Sequence, residues 1–321
     1  MTILVTGGCG FIGHNVVKAL EQLKHTVAVV DNKTTYGIIP QAEIDYLLSE
    51  RLKKINSAVH TTSIENAYAV ELAVKKHIPD VIVHMASFPR QKVVNSNPAW
   101  GSRTMMEGLF NLLESAKKHR VRRFVYISSS MVYGNFDNDV VESAVCNPEG
   151  QYGIMKLAGE WLVKDYARRT GMEVVIVRPS AVYGPLDVED RVVAKFMLTA
   201  MRGGELSVNG PNEALDFTYV TDLASGIVQA ALSDSAAGNT YNLTRSHAVT
   251  LLEAAETIVE IVGSGTIRVN DRDLNFPSRG SLNIDAARRD LNFNPTVNVA
   301  EGFERYYESL SNSVYWSTKT V

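Results

Sequence analysis

The segment Thr6-Gly7-Gly8-Cys9-Gly10-Phe11-Ile12-Gly13 constrains this chain more than any other. It follows a short apolar run, Ile3 to Thr6, and opens a helical pattern from Ile12 to Leu23. Gly8, Gly10 and Gly13 spell GxGxxG, and Gly7, Gly10 and Gly13 spell GxxGxxG. A turn this tight needs residues tolerant of positive φ, and backbone that approaches a pyrophosphate leaves no room for a Cβ. The helix that follows turns unpaired N–H groups and a partial positive charge toward the phosphates. A flexible turn before a helix is the ordinary reading of such glycines; here the strand–turn–helix context is the one that phosphate binding requires. Asp31 ends the next strand-like run, Thr26 to Asp31, roughly 20 residues further on, where a carboxylate binds adenosine ribose hydroxyls. The same carboxylate repels the extra phosphate of NADP, with Lys33 acting against it, so NAD is the expected cofactor.

The rest of the first half repeats this pattern. Val81 to His84, Arg123 to Ser128 and Glu173 to Arg178 are continuous apolar runs, as parallel strands buried on both faces require. Helical patterns lie between them at Glu65 to His77, Thr104 to His119 and Tyr152 to Thr170. This alternation predicts an α/β fold, a Rossmann-type doubly wound parallel sheet. After Arg178 the pattern loosens into glycine-rich loops, strand-like Thr218 to Val220 and Thr240 to Leu243, and helices at Asp222 to Leu232, Leu251 to Val262 and Val299 to Leu310. The expected division is an NAD-binding domain of 1–178 plus about 216–245, and a smaller C-terminal substrate-binding lobe of 179–215 and 246–321. The 321 residues suffice for both.

Composition removes several function classes. The net charge is −3, which offers no basic footprint for nucleic acid. Apolar runs such as Val174 to Val177 stop well short of the ~18 residues of a membrane span. Two cysteines, Cys9 and Cys146, form neither a disulfide framework nor a metal knuckle, so no metal is expected. The reading is a soluble cytoplasmic protein.

Tyr152 and Lys156 stand four apart at the start of a helical pattern and share one face. Hydride chemistry on an alcohol needs a base for the hydroxyl proton. A free tyrosine, with a pKa near ~10, serves poorly until a nearby ammonium stabilises its phenolate. Ser128-Ser129-Ser130 follow a buried strand, at the end where α/β sheets bind ligands. A surface Tyr/Lys pair and a run of capping serines explain each piece separately; their order after an intact dinucleotide fingerprint favours catalysis.

At this point the sequence resembles the extended short-chain dehydrogenase/reductase family, especially its nucleotide-sugar epimerases and dehydratases. The shared stretches include the glycine loop, Asp31-Asn32, Val83-His84-Met85-Ala86, Ile127 to Gly134, Tyr152 to Lys156, Arg178 to Pro185, Asp216 to Leu223 and Tyr241 to Leu243. The resemblance implies that Tyr152 is the general base, that Lys156 is its partner and also binds the nicotinamide ribose, and that Ser129 is the catalytic hydroxyl. It implies cofactor contacts at Gly7, Gly10, Phe11, Ile12, Gly13, Asp31, Asn32, Met85, Ala86 and Pro179. Ser129, Ser130, Ser180, Arg279 and Arg90 are implied to face a nucleotide-sugar substrate. Related dehydratases carry an Asp-Glu pair at Ser130 and Met131, and related decarboxylases a Glu at Met131. A methionine transfers no proton, which favours epimerisation at C4 through a transient keto sugar. The alternatives are a one-way NAD(P)-dependent sugar dehydrogenase or reductase and a non-catalytic NAD-binding regulatory protein.

Some positions depart from the family pattern. Ser63 replaces an adenine-contacting Asp, Thr104 to Leu109 replace an Asn-rich helix start, and Pro89-Arg90 replace a substrate loop. Leu215 stands where many relatives hold a phosphate-binding Arg; Arg90, Lys92, Arg103 and Arg191 are candidate substitutes. Related enzymes dimerise through the helices matching Thr104 to His119 and Tyr152 to Thr170. Both carry apolar residues beyond one stripe, so a homodimer is expected.

Overall fold

The computed structural model describes residues 1–34, 37 and 39–317. Its central sheet has seven strands: β1 Thr2–Thr6, β2 Thr26–Asp31, β3 Ala58–Thr61, β4 Val81–His84, β5 Arg123–Ile127, β6 Glu173–Pro179 and, after further short strands, Thr240–Leu243 at one edge. Spatially the order is β3-β2-β1-β4-β5-β6 and then Thr240–Leu243, and every pairing is parallel. The connections therefore run outward in both directions from the β1–β4 boundary, and this switch point opens a crevice at the strands' carboxyl ends. The strands that flank it are apolar on both faces because helices cover both. The β3 strand, an edge whose residues are exposed or at most partly buried, carries no continuous apolar run and was not expected from the sequence.

The helices of the first half are α1 Phe11–Gln22, α2 Gln41–Leu52, α3 Ala67–His77, α4 Gln91–Ser96, α5 Pro98–Ser102, α6 Gly108–Lys118 and α7 Gln151–Thr170. The helix expected over Thr104 to His119 begins instead as one π turn, Arg103–Glu107, that passes into α6. The wider turn lets the Thr104 hydroxyl donate to Glu65 Oε1 at 2.6 Å, beside the Trp100 indole N–H at 3.2 Å. Met105, Leu109, Leu112 and Leu113 are buried, as are Leu157 and Tyr166 of α7. Packing within the chain, against the sheet for Leu109, Leu112, Leu113 and Tyr166 and in smaller clusters for Met105 and Leu157, thus accounts for most of the apolar excess on these helices. Phe110 and Trp161 stay 43% and 64% exposed, with Ile154 near them in sequence at 51%.

A second apolar cluster forms the smaller lobe. It gathers the helices α8 Val192–Met201, α10 Leu251–Val262 and α11 Val299–Ser311 around Phe196, Met197, Phe217, Ile258 and Phe303. Between α8 and α10, the helix α9 Val220–Leu232 packs on α1 beneath the main sheet. Ile284, Ala287, Leu291 and Phe293 join that same core, although the division expected from the sequence counts them with the lobe.

Two histidines are buried in the main domain. The His84 ring pairs with the Thr6 hydroxyl at 2.8 Å, and burial together with the Lys156 charge lowers its pKa to about 3. His14 donates through Nδ1 to Gly10 O at 2.9 Å and is lowered to about 4, chiefly by burial. Both are neutral in the folded chain, whereas their unfolded value is about 6.5. Their contribution to stability is therefore complete above that value and lost as the pH falls from about 6.5 toward 3. The midpoint of thermal unfolding is expected to drop on acidification from pH 7 to 5, and His84→Asn to flatten that slope. An unfolding midpoint that does not change between pH 7 and 5 contradicts this.

Candidate active site

One cavity of about 830 Å³ runs along the carboxyl ends of the strands, between the main sheet and the lobe, and the cofactor, catalytic and substrate residues expected from the sequence line it, the candidate cation Arg103 excepted. At its floor, Gly7 adopts φ 74°, and a Cβ there would stand 2.7 Å from Ala86 N. A Cβ on Gly13 would overlap the Gly7 carbonyl. These two glycines let the β1–α1 turn, the α1 helix and the loop after β4 lie backbone against backbone. The N-terminus of α1 opens there without a side-chain cap, which leaves its N–H groups to an anionic ligand. Asp31 ends β2 with Oδ2 accepting from Cys9 N at 2.9 Å and Oδ1 from Lys33 N at 2.7 Å. Those bonds fix the carboxylate at the crevice with acceptor capacity left for a ribose diol. The residues present therefore fit a dinucleotide.

The end of the cavity that holds Ser129, Tyr152 and Lys156 lies between β5, α7 and β6. Ser129 Oγ accepts from Met131 N at 3.2 Å, which caps the short turn Ser130–Val132 and fixes the hydroxyl beside Tyr152. Lys156 is 5% exposed and donates to Ile127 O at 2.7 Å, with its ammonium 5.8 Å from the Tyr152 ring centre and 5.4 Å from that of Tyr126. Burial lowers Lys156 to about 7, and Glu160, one turn further along α7, opposes that. Burial raises Tyr152 above its ordinary value; the influences that pull it down are Arg191 and the Ser129 hydroxyl. Sequence spacing pointed to Lys156 for that task and did not place Arg191 near the tyrosine. Ser130 Oγ donates to Ser180 Oγ at 3.2 Å, which brings the two expected substrate serines together.

The cations divide into two groups. Arg90 and Lys92 both meet Asp190, at 2.8 and 3.1 Å. Arg279 and Arg191 line the same cavity as these two but do not meet Asp190. Arg279 has no ion pair among the described residues, its buried Nε has no hydrogen-bond partner, and its Nη1 lies 3.9 Å from Met131 Sδ. Burial lowers it to about 10, with Glu213 acting against and Arg191 acting with that shift. Arg191 lies 3.8 Å from Asp187. Leu215 lines the cavity as expected, whereas Arg103 and Ser63 do not.

Sequence reasoning missed Arg51, on the unexpected helix α2. Buried there, it donates from Nε and Nη2 to Leu186 O at 3.2 and 2.6 Å, while Glu43 Oε1 accepts from Glu189 N at 2.8 Å. With the Arg90–Asp190 pair, these contacts carry the loop after Gly184 across the crevice to the main domain. Arg90 and Leu186 hold positive φ at 86° and 67°, a strain that such bridging contacts sustain.

Residues 3–244 match the NAD dependent epimerase/dehydratase family. The chain is 31% identical to a dTDP-glucose 4,6-dehydratase of Streptomyces niveus, over 98% of its own length and 94% of the relative's. It is 31% identical to UDP-glucuronic acid decarboxylase 3 of Arabidopsis thaliana, over 94% and 86%. A solved structure of a UDP-glucuronic acid 4-epimerase from Bacillus cereus, in complex with UDP-glucuronic acid and NAD, superposes with a TM-score of 0.88 at 26% identity, covering 96% and 98% of the two chains.

Two substitutions test the cofactor crevice. Asp31→Ala is expected to reduce the preference for NAD over NADP by removing the repulsive carboxylate. Gly13→Ala is expected to abolish dinucleotide binding, because its Cβ displaces the turn. Titration calorimetry with both dinucleotides measures each effect; unchanged preference in Asp31→Ala contradicts the assigned role.

Proposed function

The chain belongs to the NAD dependent epimerase/dehydratase family, and from that premise we propose that it is a nucleotide-sugar epimerase that inverts C4. NAD is its cofactor, held along Gly7, Gly10, Phe11, Ile12 and Gly13, by Asp31 and Asn32, by Met85 and Ala86, and at the reactive end by Lys156 and Pro179. When bound, NAD supplies a hydride acceptor that returns what it takes. Tyr152 removes the C4 hydroxyl proton and gives it back, Ser129 holds that oxygen in line, and Lys156 and Arg191 stabilise the phenolate. The keto sugar turns its other face to the hydride before it is reduced.

The observation that carries this reading is Met131. It sits in the wall beside Ser129 and Ser130, with its sulfur against Arg279. Elimination of water calls for an additional acid and base at this wall, and Ser130 and Met131 provide no carboxyl group. The bridging contacts of Arg51, Glu43 and Arg90 across the crevice support a cofactor retained between turnovers, whereas a one-way dehydrogenase must release its reduced cofactor each cycle. Arg279 and Arg191 hold the substrate diphosphate in this reading, in place of the arginine that Leu215 replaces, and Ser130 and Ser180 meet the sugar.

Incubation with UDP-, GDP-, CDP- and dTDP-sugars, followed by NMR of the products, is expected to show a C4 epimer without net formation of NADH. Tyr152→Phe is expected to lower turnover by ~10² to 10⁴ with NAD still bound, since one oxygen is lost and the ring is kept. Lys156→Ala lowers both turnover and NAD affinity. Ser129→Ala is milder than Tyr152→Phe, and Ser130→Ala milder still. Wild-type turnover by Tyr152→Phe contradicts the mechanism.

We further propose a homodimer through α6 and α7, with Phe110, Ile154 and Trp161 covered by the second copy. Light scattering is expected to give twice the chain mass at micromolar concentration and a monomer for Trp161→Arg. A monomeric parent protein contradicts the dimer.

A further inference from the structure

Directly behind the reactive end lies a buried charge cluster that the mechanism above does not use. Glu160 is 1% exposed and Arg178 3%. Arg178 donates to both carboxylate oxygens, from Nη2 to Oε2 at 2.6 Å and from Nε to Oε1 at 2.9 Å. Ser128 Oγ donates to the same Oε1 at 2.5 Å. The remaining Arg178 nitrogen, Nη1, donates to Tyr133 Oη at 2.9 Å and Glu142 O at 3.0 Å, and Tyr133 in turn donates to Asn242 Oδ1 at 2.8 Å.

The placement of the three partners matters more than the pair itself. Ser128 immediately precedes Ser129. Glu160 stands one helical turn after Lys156 on α7, so it shares that residue's face. Arg178 immediately precedes Pro179 and Ser180 on β6. One carboxylate therefore joins the three chain segments that carry the catalytic hydroxyl, the catalytic ammonium and the expected substrate serine. A buried ion pair seldom adds net stability over apolar packing of the same volume, so stability alone does not account for placing one here.

We propose that Glu160 is a positioning residue for the reaction: held by Arg178 and Ser128, it ties together the segments that carry Ser129, Lys156 and Ser180 and sets its charge on the Lys156 face of α7. This rests on the assignment of Tyr152 and Lys156 as the proton-handling pair. Lys156 is surrounded by the neutral groups His84 on β4 and Tyr126 on β5, by Tyr152 on its own helix, and by Glu160 as the one charge acting to keep it protonated. Arg191 faces Tyr152 from the lobe. Around Glu160 itself stand Ser128, Tyr126, Arg178 and Cys146, with Tyr133 and Glu142 beyond Arg178. Burial works against the Lys156 cation, and loss of the Glu160 charge leaves nothing to oppose burial from that side.

The test titrates Lys156 directly. The protein is labelled at lysine Cε with carbon-13, loaded with NAD, and followed by NMR against pH, with the Lys156 signal assigned by its absence in Lys156→Met. Glu160→Gln keeps the shape and removes the charge. The Lys156 midpoint is expected to fall by about one pH unit or more, and Glu160→Asp, which keeps the charge, to hold it near the parent value. Where Glu160→Gln alone fails to fold, Glu160→Gln combined with Arg178→Gln leaves a neutral pair and is expected to show the same fall. With a nucleotide sugar that the parent enzyme turns over, the alkaline limb of kcat moves down by the same interval while KM changes little. A lower unfolding temperature with an unmoved Lys156 midpoint assigns the pair a structural role only and overturns the proposal. The NMR readout needs no substrate, so failure of the epimerase reading, seen as no turnover of any nucleotide sugar, is distinct from failure of this one.

Discussion

The close approach of backbone to backbone at the β1–β4 switch point governs the rest of the molecule. Gly7 rests against Ala86 so tightly that a Cβ has no place, and Gly13 rests in the same way against the Gly7 carbonyl. That contact is what permits a helix N-terminus, a strand end and the following loop to converge on one line. Everything chemical is arranged along that line: the α1 amides and Asp31 at one end, Ser129, Tyr152 and Lys156 at the other. The parallel pairing that sets up the switch point is itself dictated by strands apolar on both faces, which only a two-sided cover of helices can bury.

Burial then sets the electrostatics of the reactive end. It pushes Tyr152 up and Lys156 down to about 7, so both groups of the proposed proton-handling pair are moved toward their neutral forms. Three local features oppose this: the Ser129 hydroxyl and Arg191 act on the tyrosine, and Glu160 acts on the lysine. The site is a balance between burial, which strengthens the interactions among its groups, and a few placed charges that oppose it. Burial likewise leaves Arg279 with an unpartnered Nε, a group suited to an anionic ligand.

What could be read from the sequence was whatever is encoded locally. The glycine loop, Asp31 and the Tyr152–Lys156 spacing are short patterns whose residues are close in the chain, and the buried strands announce themselves as apolar runs. The helix α2 escaped notice because Ile44, Leu47 and Leu48 are its main apolar face and acids and polar residues fill the remainder. Arg51 was lost with it. The β3 strand is an exposed edge, so it lacks the apolar run that marked its neighbours. The π turn at Arg103–Glu107 has no sequence signal of its own; it answers a tertiary demand from Glu65. Arg191 against Tyr152, and Glu160 against Arg178, are pairings across elements, which no single-chain pattern announces.

In the proposed reaction one site removes hydrogen from C4 and returns it to the same carbon, and Met131 lacks the proton chemistry that elimination needs. The most direct measurement uses a nucleotide sugar deuterated at C4, incubated with the NAD-loaded protein and examined by NMR and mass spectrometry. The expected product is a C4 epimer that retains its deuterium at C4, with no net reduced cofactor in solution. Deuterium found at C6 of a product that has lost water, or carried into free reduced cofactor, contradicts it.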